Sequence, residues 1–262
     1  MLIPGALCRV DMFEATQEWS ARGYGIVRYR FPGLDGRSLH PPLRIRDAAQ
    51  EIVSLLARYP EKPVRILGFS TGGAIALETA RHLSGDVRVA LMSPALPRAG
   101  GGETATRSAI DLIQSAWRAR SLRVEPVWLC YYEILLFGRS VREDPVLTAR
   151  AQAIIEARRA RIVFPNRGKP RAHVRDLRRW MWKGRSPVAQ GCLRIFTGDR
   201  DPVFSGAQTG QFAAQLGAVP LRRYPGQGHL LFLSYPQVFA DVLAFFEEEA
   251  GATGGGILGV SG

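Results

Sequence analysis

Cysteine is scarce in this chain, and so is lysine. Its three cysteines, Cys8, Cys130 and Cys192, are odd in number, far apart and without metal-ligand spacing. That argues against a disulfide framework or a zinc site, and makes a reducing cytoplasm the expected compartment. Long apolar runs are missing as well. The nearest candidate, "VWLCYYEILLF" at 127–137, is short and carries Glu133, so it reads as a buried helix and no integral membrane span is expected. The opening "MLIPGALCRVDMF" lacks the basic and long apolar regions of a secretory leader. No zinc-finger, RNP-like or helix-turn-helix pattern is present, so nucleic acid is not an expected partner. No motif calls for a metal or an organic cofactor.

What the chain does have is enough apolar content for a sizeable core. Its 262 residues are 46% hydrophobic, which sets disorder aside and leaves room for one core plus an inserted subdomain. The formal charge is +12, and 32 of the 35 basic residues are Arg. Residues 95–190 hold 19 Arg and Lys against 8 Asp and Glu, a surplus of eleven, while the remainder is nearly balanced. Such a segment is either a solvated basic face or a surface for an acidic protein, an anionic substrate or a membrane.

Strand and helix patterns alternate along the chain. "LI" and "YGIVRYRF" read as strands with a helix at 12–22 between them, and "LRIRDAAQEIVSLLARY" carries apolar residues at helical spacing. The β-branched "VRIL", the helix "GAIALETARHLSG" and the strand "VRVALMSP" follow. After position 190 the rhythm resumes with "CLRIFTGD", a helix at 207–216, "VPLRRYP" and a helix at 236–249. This alternation predicts an α/β fold, a mostly parallel sheet with helices on both faces. The interruption at 95–189 contains helical patterns and no strand, and its position after a parallel strand suits a cap over a binding crevice. Its aromatics, Trp117, Trp128, Tyr131, Tyr132, Phe137, Trp180 and Trp182, are dense enough to line an apolar pocket, although most are expected to pack the cap itself. The tail "GATGGGILGVSG", 251–262, reads as a flexible linker.

One short stretch carries chemistry. "GFSTG", residues 68–72, follows a predicted strand and opens a predicted helix, the setting in which G-x-S-x-G exposes a serine nucleophile on a strained turn. A serine hydroxyl is scarcely ionised at neutral pH, so it needs a base and an acid to orient that base. Of four histidines, His40 adjoins prolines, His82 sits on the helix after the serine and His173 lies in the Arg-rich insertion. His229, in "PGQGHLLFL", follows the last strand on a glycine-flanked loop and is the expected base. "FTGDRDPV" supplies the acid: Asp201 is preferred, with Asp199 bracing the turn. The chain order serine, acid, histidine is that of one hydrolase architecture.

On "LIPGA", "FPGLDGRS", "GFSTGG", "GDRDPV" and "GQGHLLFL", the chain resembles the α/β-hydrolase superfamily. The resemblance implies a core at 1–94 and 190–250 with a helical cap at 95–189, and it lacks the first two strands usual in the family. It implies Ser70 as nucleophile, His229 as base and Asp201 as its orienter, with the Thr71 and Ala6 amides as oxyanion hole. Pro4 stands where the family has histidine, a tolerable departure because the donor is a main-chain group. The expected activity is hydrolysis of a carboxylic ester or thioester with an apolar acyl group. An acidic acyl carrier protein or a coenzyme A thioester is a candidate for the basic cap. An acyltransferase or lyase on the same triad, and a noncatalytic binding protein, are the rival classes.

Overall fold

A computed structural model of the protein describes residues 1–165 and 168–248. The tail at 251–262 lies outside the described residues.

Five strands form one parallel sheet in the order of the sequence: β1 (Leu2–Ile3), β2 (Val64–Phe69), β3 (Val87–Met92), β4 (Leu193–Gly198) and β5 (Leu221–Tyr224). The central strands β2, β3 and β4 are largely buried on both faces because helices cover both, whereas β5 at the edge exposes Arg222 and Arg223. Side chains alternate across the pleat. Ile3, Ile66, Val89, Leu91 and Ile195 therefore join a cluster with α1 (Ile45–Leu56), α2 (Thr71–Ala80) and α7 (Gly206–Gln215). Leu2, Leu67, Phe69, Met92 and Phe196 join a second cluster on the other face. There the partners are Trp19, α8 (Leu231–Ser234), α9 (Val238–Glu247) and two helices of the insertion, α4 (Val124–Phe137) and α5 (Pro145–Arg158).

The expected strand "YGIVRYRF" is reduced to a single bridge, Arg28 to Leu2, with hydrogen bonds from Leu2 N to Val27 O and from Tyr29 N to Leu2 O. Its only neighbour, β1, is two residues long before Pro4 turns the chain away, so there is almost nothing to pair with. The segment at 10–22 is a 3-10 helix with non-helical angles at Phe13 rather than a regular α-helix.

Among the described residues the insertion contains no strand. Its helices are α3 (Gly101–Arg118), α4, α5 and α6 (Lys169–Val174); Arg118 joins α3 to Glu133 of α4, and Arg159, just after α5, pairs with Glu125 of α4. Asp111, buried, accepts both forks of Arg139 at 2.9 and 2.8 Å and one of Arg142 at 3.0 Å. Apart from Trp117, the aromatics, most of them expected to pack the insertion's own core, join the clusters on the two faces of the sheet. Tyr131 and Phe137 are buried with the sheet's second face, and Trp180 and Trp182 with the first. Trp180 also donates its indole N–H to buried Glu78 at 2.8 Å. Trp117 points into solvent, 82% exposed. No helix among the described residues is long and apolar enough to cross a membrane.

Candidate active site

Parallel register brings the C-terminal ends of β2, β4 and β5 to one edge, and each is followed by a loop carrying one predicted site residue. Ser70 connects β2 to α2 with φ 49 and ψ −117, a sparsely populated conformation for a non-glycine residue. The surroundings hold it there. A Cβ at Gly72 would run into the carbonyl oxygens of Ile3 and Pro4, and one at Gly68 into Gly72. Only glycines let β1, β2 and α2 approach so closely. The Ser70 carbonyl accepts from Gly73 N and Ala95 N, and its amide donates to Met92 O, so the strained turn is braced from three sides.

His229 is buried, and its two ring nitrogens face two different partners. Nδ1 lies 2.7 Å from Asp201 Oδ2, and Nε2 lies 3.1 Å from Ser70 Oγ. Asp201 is itself oriented: its other oxygen, Oδ1, accepts the amides of Val203 at 2.8 Å and Phe204 at 3.1 Å. An ionised carboxylate holding the Nδ1 proton leaves Nε2 as an acceptor, the tautomer that can take a proton from a hydroxyl. The Phe69 and Phe204 rings flank the imidazole at 5.2 and 5.9 Å between centroids, which limits water around it. Asp199 stands apart from this chain of bonds; its Oδ1 accepts the Gly226 amide at 2.8 Å.

The two expected oxyanion donors sit on the elements nearest Ser70. Thr71 opens α2, and first-turn helix amides have no intrahelical acceptor. Ala6 follows Pro4 and Gly5 on the loop leaving β1, and a Cβ at Gly5 would lie 3.0 Å from Ser70 Cβ. That loop is therefore packed directly on the elbow.

Two supports were invisible in the sequence. The first is His173 of α6, fully buried, whose Nδ1 accepts the Leu7 amide at 3.1 Å while Nε2 faces Pro32 O at 2.7 Å. The residue next to Ala6 is thus pinned from the insertion. The second is the C-terminal end of α4. The carbonyls of Leu136 and Leu135, which lack helical partners at that end, accept the amides of Gly228 at 2.8 Å and Leu230 at 2.9 Å. These bonds clamp the loop on either side of His229. Both depend on contacts far apart in sequence, and no local pattern signals them.

Burial lowers the pKa of His173 from its ordinary 6.5, opposed by the bond to Pro32 and assisted by the charge of Lys169. Below pH 6.5 the unfolded chain protonates this histidine while the folded chain resists, so the unfolded state binds more protons and stability falls as the pH is lowered. Above pH 6.5 both forms are neutral and the effect vanishes. The loss is at most about 1.4 kcal/mol per pH unit. Thermal melts of His173→Asn are therefore expected to decline less steeply from pH 6.5 downward than those of the unmodified protein. Parallel curves would refute a neutral His173.

Among the described residues no cluster of His, Cys, Asp or Glu could hold a metal ion. The sequence model described as "Alpha/beta hydrolase family" matches residues 1–242. No curated protein sequence matches the chain. Among solved structures it is similar to a thermophilic esterase from Thermogutta terrifontis, at 15% identity and a TM-score of 0.67 over 94% of this chain and 89% of that one. It is also similar to an enol-lactonase from Burkholderia xenovorans LB400, at 14% identity and a TM-score of 0.63 over 94% and 90%. A third is Est816, described as an N-acyl homoserine lactone degrading enzyme, at 19% identity and a TM-score of 0.64 over 93% and 90%. At such identities these likenesses speak for the fold alone.

Proposed function

This chain belongs to the alpha/beta hydrolase family, and from that premise we propose that it is a serine hydrolase cleaving a carboxylic ester through an acyl-enzyme on Ser70. The observation that carries the reading is the position of His229, hydrogen-bonded at once to Ser70 and Asp201. His229 Nε2 takes the Ser70 proton as Oγ attacks the substrate carbonyl carbon. The oxygen that becomes negative receives hydrogen bonds from the Thr71 and Ala6 amides. His229 then passes its proton to the departing alkoxide, which leaves as the alcohol. A water deprotonated by the same nitrogen attacks the acyl-serine and releases the acid. Asp201 remains ionised throughout and stabilises the imidazolium.

Residues 95–189 act as the cap in this reading. Support comes from α4, whose end holds the His229 loop, and from His173, which holds the loop of Ala6. The apolar side chains beside His229, Phe69 and Phe204, with Phe232 packed on Phe69, favour an apolar acyl group. The esterase and lactonase names of similar structures accord with an ester substrate, open or cyclic. A thioester of an acyl carrier protein or of coenzyme A has weaker support, because many arginines of the insertion are engaged internally: Arg118 with Glu133, Arg139 and Arg142 with Asp111, Arg158 and Arg161 with Glu14. A cytoplasmic location completes the reading, on the strength of three free cysteines.

A fluorophosphonate probe, intact mass and peptide mapping test the proposal, together with turnover of matched oxoesters and thioesters of graded acyl length. One adduct on Ser70, absent from His229→Ala, is expected. A folded protein that takes no adduct and turns over no ester would overturn the reading in favour of a binding protein. Acyl products on an added alcohol in preference to water would move it to the transferases.

A further inference from the structure

Helix α3 is amphipathic with its faces reversed. The side chains it buries are polar, Thr104, Asp111 and Ser115, while its solvent side carries Ile110, Ile113 and Trp117, exposed by 47, 69 and 82%. Spacing of three and four residues puts these three on one stripe, and exposed Thr106 extends it by a turn. Leu122, 94% exposed in the turn after α3, and Val124, the first residue of α4, add to the exposed apolar side chains of this region. Six of the nine exposed large apolar side chains among the described residues lie between positions 110 and 124. The orientation is anchored, since buried Asp111 holds Arg139 and Arg142 and fixes which face turns inward. Large apolar side chains concentrated on one exposed face in this way mark an interaction site.

Charge and size identify the occupant. Within 101–125 the two exposed acids are neutralised, Glu103 by Arg107 at 3.4 Å and Glu125 by Arg159 at 2.7 Å. Arg120 and Arg123, exposed at the end of the stripe, have no ion-pair partner among the described residues. The uncompensated charge beside the patch is thus positive, as is that of the whole insertion. A second copy of the chain would set two such insertions face to face. The face is also small: Ile110, Ile113, Trp117, Leu122 and Val124 are five side chains, whereas a stable dimer buries about 800 Å² and roughly 20–30 residues per partner. An anionic lipid surface needs neither a matching shape nor a minimum area, and it accommodates apolar side chains, a Trp at the boundary and flanking Arg on one helix.

We propose that the α3 face, Ile110, Ile113, Trp117 and Leu122 with Arg120 and Arg123, docks the protein on an anionic membrane surface. The helix lies in the interfacial plane without crossing. This proposal goes beyond the hydrolase reading and does not depend on it, because its readout is binding.

The test is sedimentation with vesicles of phosphatidylcholine containing phosphatidylglycerol, against vesicles of phosphatidylcholine alone. Preferential partition to the anionic vesicles is expected. In the double variant Ile113→Ser with Trp117→Ser it should fall roughly tenfold or more, from the apolar area lost. Arg120→Gln with Arg123→Gln should cost about tenfold or more on anionic vesicles and little on neutral ones. Thr106→Leu, which lengthens the stripe, should strengthen binding. All these side chains are exposed, so melting temperatures and turnover of a soluble ester should stay close to those of the unmodified protein. Absence of partition, or partition indifferent to all these variants, would overturn the proposal. So would a concentration-dependent dimer dissolved by the serine variants, which would assign the face to a second copy.

Discussion

Replacing Ser70 with Ala is expected to abolish fluorophosphonate labelling and to lower kcat for an ester substrate by about ten-thousand-fold or more. The reason is specific to the geometry. Ser70 Oγ is the hydroxyl opposite His229 Nε2 at 3.1 Å, and without it the histidine can activate only water, while the Thr71 and Ala6 amides retain whatever oxyanion stabilisation they provide. Residual catalysis should therefore survive at a low level, and KM should change little. The backbone strain at φ 49 is as unfavourable for Ala as for Ser, so the variant is expected to melt within a few degrees of the original. Undiminished turnover in a folded Ser70→Ala protein would remove the acyl-enzyme.

Substituting Asp201 with Asn is expected to lower kcat by about a thousand- to ten-thousand-fold, whereas Asp199→Asn should cost less than about tenfold. Asp201 Oδ1 is pinned by the amides of Val203 and Phe204, which are donors and can be met only by an oxygen. An Asn at this position must keep its oxygen there and so turn its NH2 group towards His229 Nδ1. The histidine is then forced to accept on Nδ1 and carry its proton on Nε2, the nitrogen that must receive the Ser70 proton. Shape is preserved and the tautomer is wrong. Asp199, by contrast, braces a turn through the Gly226 amide, and its loss affects the loop at one remove. Equal losses in steady-state kinetics would undo the choice of acid; a normal rate in Asp201→Asn would undo the tautomer argument altogether.

Much of the fold was legible along the chain. β-branched and apolar runs such as "VRIL" and "VRVALMSP" have to be strands buried on both faces, and the helix between them, α2, is buried all round, so a parallel sheet follows from local pattern. The elbow was legible for the same reason. Gly68 and Gly72 exclude side chains that would strike neighbouring backbone, and a steric rule of that kind acts over a handful of residues. "YGIVRYRF" misled because its own alternation is strand-like, while strand formation needs a partner and β1 offers only two residues.

Short-range sterics and periodicity account for the alternation of elements, the strained serine turn and the small set of histidines and aspartates that could serve it. Tertiary structure decided which members of that set meet. Ser70 and His229 are 159 positions apart, and Leu7 and His173 are 166 apart, so their bonds exist only once the sheet has closed and the insertion has docked. It also decided the orientation of α3. Periodicity tells that this helix has an apolar and a polar side, but the pairing of Asp111 with Arg139 and Arg142 turns the polar side inward. A buried carboxylate cannot be left without its partners, and Ile113 and Trp117 face solvent as a result.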